Sequence, residues 1–171
     1  NITTQDFKAA NDLIYVIGET NADFNGTEIQ KMHLGRIEGK LMDFDLMIEK
    51  EHQQLVSKAI EAGLVASAHD CSEGGLAIAL AESAFKKNVG IDVDAAMDTA
   101  LLFSETQSRF VVSVKPENQF AFEQLVKDSA KKIGVVTNNG LLKIKTADQK
   151  IEVMTQKARE VWEEAIPCLM K

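Results

Sequence analysis

The sequence has few of the residues that divide or cross-link a chain. It contains two prolines, two cysteines, one tryptophan and one tyrosine in 171 residues. We find no Gly/Ser-rich linker, no low-complexity tract and no repeat with a period of roughly 20–50 residues. We therefore expect residues 1–171 to form one domain.

The positions of the cysteines and of the apolar residues argue against a cysteine metal site, a secreted protein and a membrane-spanning protein. Cys71 and Cys168 stand too far apart to form a metal-binding motif. Residues 1–8 lack the charged and apolar regions of a signal peptide, so we expect reduced thiols in a cytoplasmic protein. No run of about 18 apolar residues occurs, and neither a transmembrane helix nor a membrane partner is expected.

The chain lacks a basic excess. It has 19 Lys and Arg against 26 Asp and Glu, a net charge of -7. Non-specific nucleic-acid binding needs a basic surface that displaces counterions, so the acidic balance argues against this class. The hydrophobic share of 45% and the charged share of 26% are instead typical of a globular domain. A domain of this length buries roughly 70% of its unfolded surface and needs neither disulfide nor metal to hold a core.

Strand and helix patterns alternate along the chain. The patterns predict a mixed β-sheet flanked by helices, of the α/β or α+β class. Trp162, at helical spacing, is predicted to lie in the core. Strands are predicted over 12–18, 64–69, 89–93 and 109–115, helices over 27–33, 45–62, 74–88 and 117–132 and after Thr155, and a hairpin over 135–145 with its turn at Asn139-Gly140.

The helix over 45–62 has the clearest amphipathic pattern. Asp43 or Asp45 can cap its start, and Gly63 suits the left-handed position after its end. The spacing of three and four residues predicts one core-facing row: Ile48, His52, Leu55, Ala59 and Ala62.

The densest polar segment lies between a predicted strand and a predicted helix. His69 and Asp70 end the strand, Ser72 is a good N-cap, and Gly74-Gly75 lets a backbone or ligand approach closely. Free N–H groups at a helix start favour an anion, so we expect a phosphate, sulfate or carboxylate near 72–76. The alternative is a capped helix whose glycines serve strand–helix packing.

His69 and Asp70 could form an acid–base pair, because a carboxylate can fix the tautomer of an imidazole. However, adjacent residues on a strand point to opposite faces, which favours a structural histidine.

A second polar segment precedes the strand over 109–115. Glu105, Gln107 and Arg109 could present an acceptor, an amide and a guanidinium to a ligand. Equally, Arg109 and Glu105 could form an ion pair that pins the loop. His33 and His52 have no partners at metal-ligand spacing. We therefore predict no catalytic residue and no metal ligand in this chain.

In residues 13–20, 69–82, 102–110 and 162–171, the sequence resembles phosphoribosylformylglycinamidine (FGAM) synthase, the amidotransferase of purine biosynthesis. Residues 69–82 match the pattern H-D-x-S/A-D/E-G-G-L-A-x-A-L-A-E, and 102–110 match L/F-F-S-E-S/T-Q-S-R-F. Residues 13–20 resemble the opening strand of one domain of that family. Residues 162–171 resemble the terminus of the large subunit in the small, multi-subunit form of the enzyme.

The resemblance implies a fold and a place in a larger chain. The family's large chain has two homologous halves, each with an ATP-binding-type N-terminal domain and a C-terminal domain like that of aminoimidazole ribonucleotide (AIR) synthase. This chain resembles the last of those four domains, a partly ferredoxin-like sheet domain. The implied partners are the N-terminal-type domain, a glutaminase subunit and a small bridging subunit.

The resemblance also implies chemistry. The parent enzyme uses ATP and Mg²⁺, whose ligands lie mostly in the N-terminal-type domains, so we expect neither to bind this domain alone. Ten residues are candidates for a ligand or phosphate cleft: His69, Asp70, Ser72, Glu73, Gly74, Gly75, Glu105, Thr106, Gln107 and Arg109. The alternatives are a kinase or dehydratase relative, such as thiamine-monophosphate kinase, and a non-enzymatic interaction or regulatory module.

Overall fold

A computed structural model describes residues 2–42 and 44–169, with side chains up to residue 165. The predicted tail motif is therefore described only in part, and the side chain of Cys168 lies outside the described residues. Within this part the helices are α1 (Glu28–Leu34), α2 (Leu46–Glu61), α3 (Gly75–Phe85), α4 (Gln119–Val126) and α5 (Thr155–Leu169). The strands are β1 (Leu13–Ile17), β2 (Ser67–Asp70), β3 (Gly90–Asp94), β4 (Phe110–Val114), β5 (Ala130–Thr137), β6 (Leu141–Lys145) and β7 (Lys150–Met154).

The strands form one seven-stranded mixed sheet. Their order is β2-β4-β1-β5-β3-β6-β7. β3 and β6 are parallel, and the other neighbours are antiparallel. β1 therefore lies inside the sheet, where a continuous apolar strand is expected because both faces are covered.

Alternation along β1 divides the core between the two faces of the sheet. Ile14 and Val16 pack in the cluster that contains α3, whereas Leu13, Tyr15 and Ile17 pack with α2 and α4. Since side chains alternate along a strand, one buried strand serves both layers. The predicted mixed sheet with flanking helices is confirmed. No helix in the described ranges is long and apolar enough to cross a membrane.

Of the two predicted caps of α2, Asp45 is confirmed and Asp43 lies outside the described residues, whereas the core-facing row is correct only in part. Asp45 caps the helix by accepting hydrogen bonds from the N–H groups of Met47 and Ile48. The buried residues of α2 are Val56 and Ala59. Of the predicted row, Ala59 is buried, His52 and Leu55 are half-buried, and Ile48 is 47% exposed.

Two predictions for the second half of the chain are wrong. The helix predicted over 117–132 ends at Val126, and Ala130 begins β5, where Ala130 pairs with Ile17. The hairpin predicted over 135–145 is not a strand pair, because β3 lies between β5 and β6. Ile91 of β3 instead pairs with Val136 on one side and with Leu142 on the other.

Trp162 does not lie in the core. Its side chain is 53% exposed, and its indole N–H donates to Glu82 Oε1 at 3.0 Å. Its ring lies 5.9 Å from that of Phe85. Trp162 therefore joins α5 to the outside of α3 rather than filling the interior.

Candidate functional site

The two polar segments meet because β2 pairs with β4. Asp70, at the end of β2, is opposite Phe110, at the start of β4. Just outside the ladder, the N–H of Cys71 donates to the carbonyl of Arg109 at 2.9 Å. An antiparallel pair places the end of one strand beside the start of the other, so residues 70–75 and 104–109 converge at one end of the sheet.

A cavity of about 270 Å³ lies between these loops. Six of the ten predicted site residues line it: Asp70, Ser72, Glu73, Glu105, Gln107 and Arg109. Of the other four, His69 contacts α3, Gly75 is the first residue of α3, Gly74 donates to the lining residue Glu105, and Thr106 lines a neighbouring cleft. The structure therefore brings most of the predicted site together.

The carboxylate of Glu105 lies at the helix start where an anion was predicted. Its Oε1 accepts from the N–H of Gly74 at 2.9 Å and from the N–H of Glu28 at 2.9 Å. The chain thus supplies a negative group to the α3 turn and ties that turn to the start of α1. The prediction that Ser72 caps α3 is wrong: Gly74 is the N-cap, and Ser72 Oγ donates to Asp70 Oδ2 at 2.7 Å.

Arg109 is 1% exposed and holds the loop that precedes β4. Its guanidinium donates to the carbonyls of Ser104 (2.6 Å) and Thr106 (2.9 Å) and to Thr20 Oγ1 (3.0 Å). Burial lowers the pKa of Arg109, opposed by nearby negative charges that include Asp23 and Glu105. Arginine remains a cation in proteins, so a buried charge is bound here mainly by carbonyl oxygens.

The structure shows how Arg109 holds the Glu105–Arg109 segment. No ion pair in the described part of the chain includes Arg109. The arginine pins the loop, as one interpretation held, but through backbone carbonyls rather than through Glu105. Gln107 is exposed at the rim of the cavity, where it is open to a ligand.

His69 and Asp70 do not form an acid–base pair. His69 Nδ1 lies 3.1 Å from Ser83 Oγ and 3.2 Å from the carbonyl of Ala79, both on α3. Its Nε2 lies 3.4 Å from Glu82 Oε2. Asp70 is exposed and points to the cavity. The geometry supports the structural histidine, which fastens α3 to β2.

A larger cleft of about 1160 Å³ shares Glu105 and Gln107 with the smaller cavity. It reaches residues that the sequence analysis did not select, mainly in the segment 18–27 after β1. Thr106 joins this segment to the β4 loop, since its hydroxyl donates to the carbonyl of Asn21 and accepts from its N–H, both at 3.0 Å. Gly18 and the turn-forming residues that follow β1 are the signal that could have identified this segment as part of the cleft lining.

His52 was predicted to lie on an apolar face, but it has a polar partner. Its Nδ1 lies 2.7 Å from the carbonyl of Ser108, a residue in the left-handed region at φ +64°. A Cβ on Gly18 would lie 2.5 Å from that same carbonyl oxygen. His52 therefore contacts the carbonyl of Ser108, and the lack of a Cβ at Gly18 leaves room for that carbonyl.

The described residues do not provide a metal site of their own. No group of three or more His, Cys, Asp or Glu side chains among residues 2–42 and 44–169 is arranged to hold a metal ion. The arrangement can orient polar ligand groups and accept hydrogen bonds, but it offers few cations to a phosphate.

Removing the Glu105 carboxylate should loosen the site. We expect Glu105→Ala to lower the free energy of unfolding by about 2 kcal/mol, because two backbone N–H groups lose their acceptor. Glu105→Gln keeps an acceptor oxygen without the charge and should cost about 1 kcal/mol. Urea denaturation measures both. Glu73→Ala, which removes an exposed carboxylate of the same cavity, is the control; equal stability of Glu105→Ala and Glu73→Ala would contradict the assignment.

Cys71 should be a poorly reactive thiol. Burial raises its pKa to about 11. At pH 8 only about one molecule in a thousand then carries the thiolate, so alkylation should be on the order of 100-fold slower than for a free cysteine. Intact-mass measurement of iodoacetamide labelling in a Cys168→Ser variant tests this, with the rate rising as the pH approaches 11. Labelling of the folded variant as fast as in urea would contradict it.

Comparison with known proteins places this geometry in a family. The family model described as AIR synthase related protein, C-terminal domain, matches residues 9–146. Phosphoribosylformylglycinamidine synthase II from Thermotoga maritima is 19% identical over 92% of this chain, with a TM-score of 0.72. T. maritima PurL complexed with FGAR is 19% identical over 92% of the chain, with a TM-score of 0.77.

PurLQS from T. maritima is 20% identical over 90% of this chain, with a TM-score of 0.70. This chain covers 27%, 29% and 27% of those three proteins, respectively. At this identity the likeness to the solved structures establishes the fold. The family match, which covers most of the sheet and both polar loops, confirms the predicted AIR synthase-like domain: the chain belongs to the family of AIR synthase related proteins and corresponds to their C-terminal domain.

Proposed function

We propose that this chain is the C-terminal domain of the large subunit of an FGAM synthase. One observation carries the proposal: the two motifs that resemble this enzyme, 69–82 and 102–110, converge on one cavity through the β2–β4 pairing. Family membership and the fold shared with T. maritima PurL support it. Residues 1–171 would form one domain of a longer cytoplasmic polypeptide.

The reaction proposed for the parent enzyme replaces the oxygen of an amide with nitrogen, which gives an amidine. The carboxamide oxygen of the glycinamide unit of formylglycinamide ribonucleotide (FGAR) takes the γ-phosphoryl group of ATP, and ADP leaves, while the formyl group is unchanged. Ammonia then attacks the carbon, phosphate leaves with that oxygen, and FGAM results. Phosphorylation turns a poor leaving group into a good one, which is the purpose of the ATP.

The residues of this chain would contribute binding and orientation rather than the phosphoryl transfer. The cavity rim offers the amide of Gln107 and the carboxylates of Asp70 and Glu73, while Arg109 keeps the loop in place from beneath. The carboxylates here would repel a polyphosphate, and the described residues do not assemble a Mg²⁺ site. ATP and Mg²⁺ are therefore assigned to the neighbouring ATP-binding-type domain.

The proposed partners follow from the same reaction. An N-terminal-type domain of the same polypeptide would close the cavity. A glutaminase subunit would release ammonia, and a small bridging subunit would connect it to the large subunit. The PurLQS structure of T. maritima supports a multi-subunit arrangement for the relative.

Turnover by the complete polypeptide tests the proposal. We expect ATP-dependent conversion of FGAR to FGAM with ammonium chloride as the nitrogen source, followed by mass spectrometry of the product. Thiamine monophosphate in place of FGAR should give no product. Phosphorylation of thiamine monophosphate without FGAM formation would instead establish the kinase alternative, and inactivity towards both would favour the non-enzymatic module.

A further inference from the structure

A band of exposed apolar side chains crosses the surface between α1 and the first turn of α2. The exposed fractions of its nine members run from 47% to 83%. We call this surface the apolar band; its members are Met32, Leu34, Ile37, Leu41, Met42, Phe44, Leu46, Met47 and Ile48. Nine such side chains within 17 consecutive positions are a patch rather than the scattered apolar residues of an ordinary surface.

The apolar band is continuous with the larger cleft. Leu41, Met42, Phe44 and Ile48 line that cleft as well as belonging to the band. A partner that covers the band would therefore also cover part of the cleft that Glu105 and Gln107 line.

The charge of the cleft indicates the chemistry of that partner. Against a single lysine, Lys131, the described lining contains six carboxylates: Glu19, Asp23, Asp45, Glu51, Glu105 and Asp128. A second copy of this chain would bring the same acidic surface to the contact, and like charges across an interface are unfavourable. A complementary partner carries lysine or arginine side chains beside an apolar centre.

The solved structures that this chain matches are much longer than the chain, and their additional length indicates where such a partner is found. The chain covers 27% of T. maritima phosphoribosylformylglycinamidine synthase II, so most of that polypeptide lies outside the matched domain. We propose that the apolar band is the docking face for a neighbouring domain of the same polypeptide, which presents an apolar surface rimmed by basic residues. This inference rests on the proposed function, because it takes this chain to be part of a longer enzyme.

Site-specific photo-crosslinking in the complete polypeptide tests the docking face. Phe44 and Phe120 are both exposed phenylalanines, at 49% and 75%, but Phe120 lies on α4 and is not a member of the band. Each is replaced in turn by p-benzoylphenylalanine, and crosslinked peptides are identified by mass spectrometry. Met47, 72% exposed in the first turn of α2, provides a second band position if the Phe44 variant fails to fold.

We expect positions 44 and 47 to crosslink to a segment of the same polypeptide outside residues 1–171, near lysine or arginine, and position 120 to give no such product. Crosslinks from the band to residues 1–171 of a second copy would overturn the proposal, as would the same product from position 120 or no product from either band position. FGAM formation is measured in the same samples. Normal turnover without the crosslink rejects the docking face alone, whereas the crosslink without turnover rejects only the proposed function.

Discussion

Replacing Gly75 with alanine should destabilise the chain by about 3 kcal/mol or more, because strain and a backbone clash add together. Gly75 lies in the left-handed region at φ +65°. A Cβ there would lie 2.2 Å from the carbonyl oxygen of Ser104 and 2.9 Å from that of Leu102. Neither atom is the end of a flexible side chain, so the start of α3 would have to move away from the β4 loop.

Gly35 provides a matched control for this prediction. It has the same φ of +65°, but a Cβ at Gly35 would meet nothing within 4 Å. Gly35→Ala should therefore show the conformational cost alone, about 1 kcal/mol. Urea denaturation of both variants separates the clash from the strain. Equal losses for the two variants would mean that the close approach of Gly75 to Ser104 is absent.

Replacing Arg109 with alanine should cost about 4 kcal/mol, because it leaves two buried carbonyls without a donor and opens a large cavity. The two carbonyls, of Ser104 and Thr106, lie on the loop that carries Glu105. The loss is a substantial fraction of the 5–15 kcal/mol or so that stabilises a typical domain. We expect the urea midpoint to fall sharply and Gly74 to lose its hydrogen-exchange protection as the Glu105 contact opens.

Arg109→Lys and Arg36→Ala are the comparisons for this second prediction. Lysine keeps the charge but lacks the planar fork that reaches several acceptors, so only part of the stability should return. Arg36 pairs with Glu38 on the surface, and its removal should cost about 0.5 kcal/mol or less. If Arg109→Ala were no worse than Arg36→Ala, Arg109 would not be the buried anchor of the loop.

Local patterns predicted well where local physics determines the structure. Asp45 caps α2 because its side chain reaches N–H groups two and three residues later. The apolar run at 13–17 was predicted as a strand, and it forms the buried β1. The residue types at 69–75 and 104–109 identified the polar loops, since loops at strand ends are where glycines and the polar groups that bind ligands concentrate.

Pairing between distant segments could not be predicted in the same way. Phe122, Leu125, Val126 and Ala130 have helical spacing, but Ala130 pairs with Ile17 and Lys132 with Tyr15 in the sheet. The apolar runs around Asn139-Gly140 look like a hairpin, but β3 separates them. In both cases the energy of the strand ladder, which depends on residues far away in sequence, outweighs the local pattern.

In the candidate site, too, the features that depend on local sequence were predicted, and those that depend on distant segments were not. Sequence identified the α3 turn as attractive to an anion, but the carboxylate found there comes from Glu105, 31 residues beyond Gly74. Likewise, one of the two alternatives for Arg109 was an ion pair with Glu105 that pins the loop, whereas the acceptors in the fold are the carbonyls of Ser104 and Thr106 and the hydroxyl of Thr20. The segment 18–27 was missed because its contribution depends on contacts with Thr106, 85 residues beyond Asn21.

We propose that this chain completes the site of a larger FGAM synthase and does not carry the reaction itself. FGAR-dependent phosphate release from ATP, measured in parallel for residues 1–171 and for the complete polypeptide with ammonium chloride, tests it most directly. We predict release by the complete polypeptide and none by residues 1–171. Sustained FGAR-dependent release by residues 1–171 alone would contradict the account.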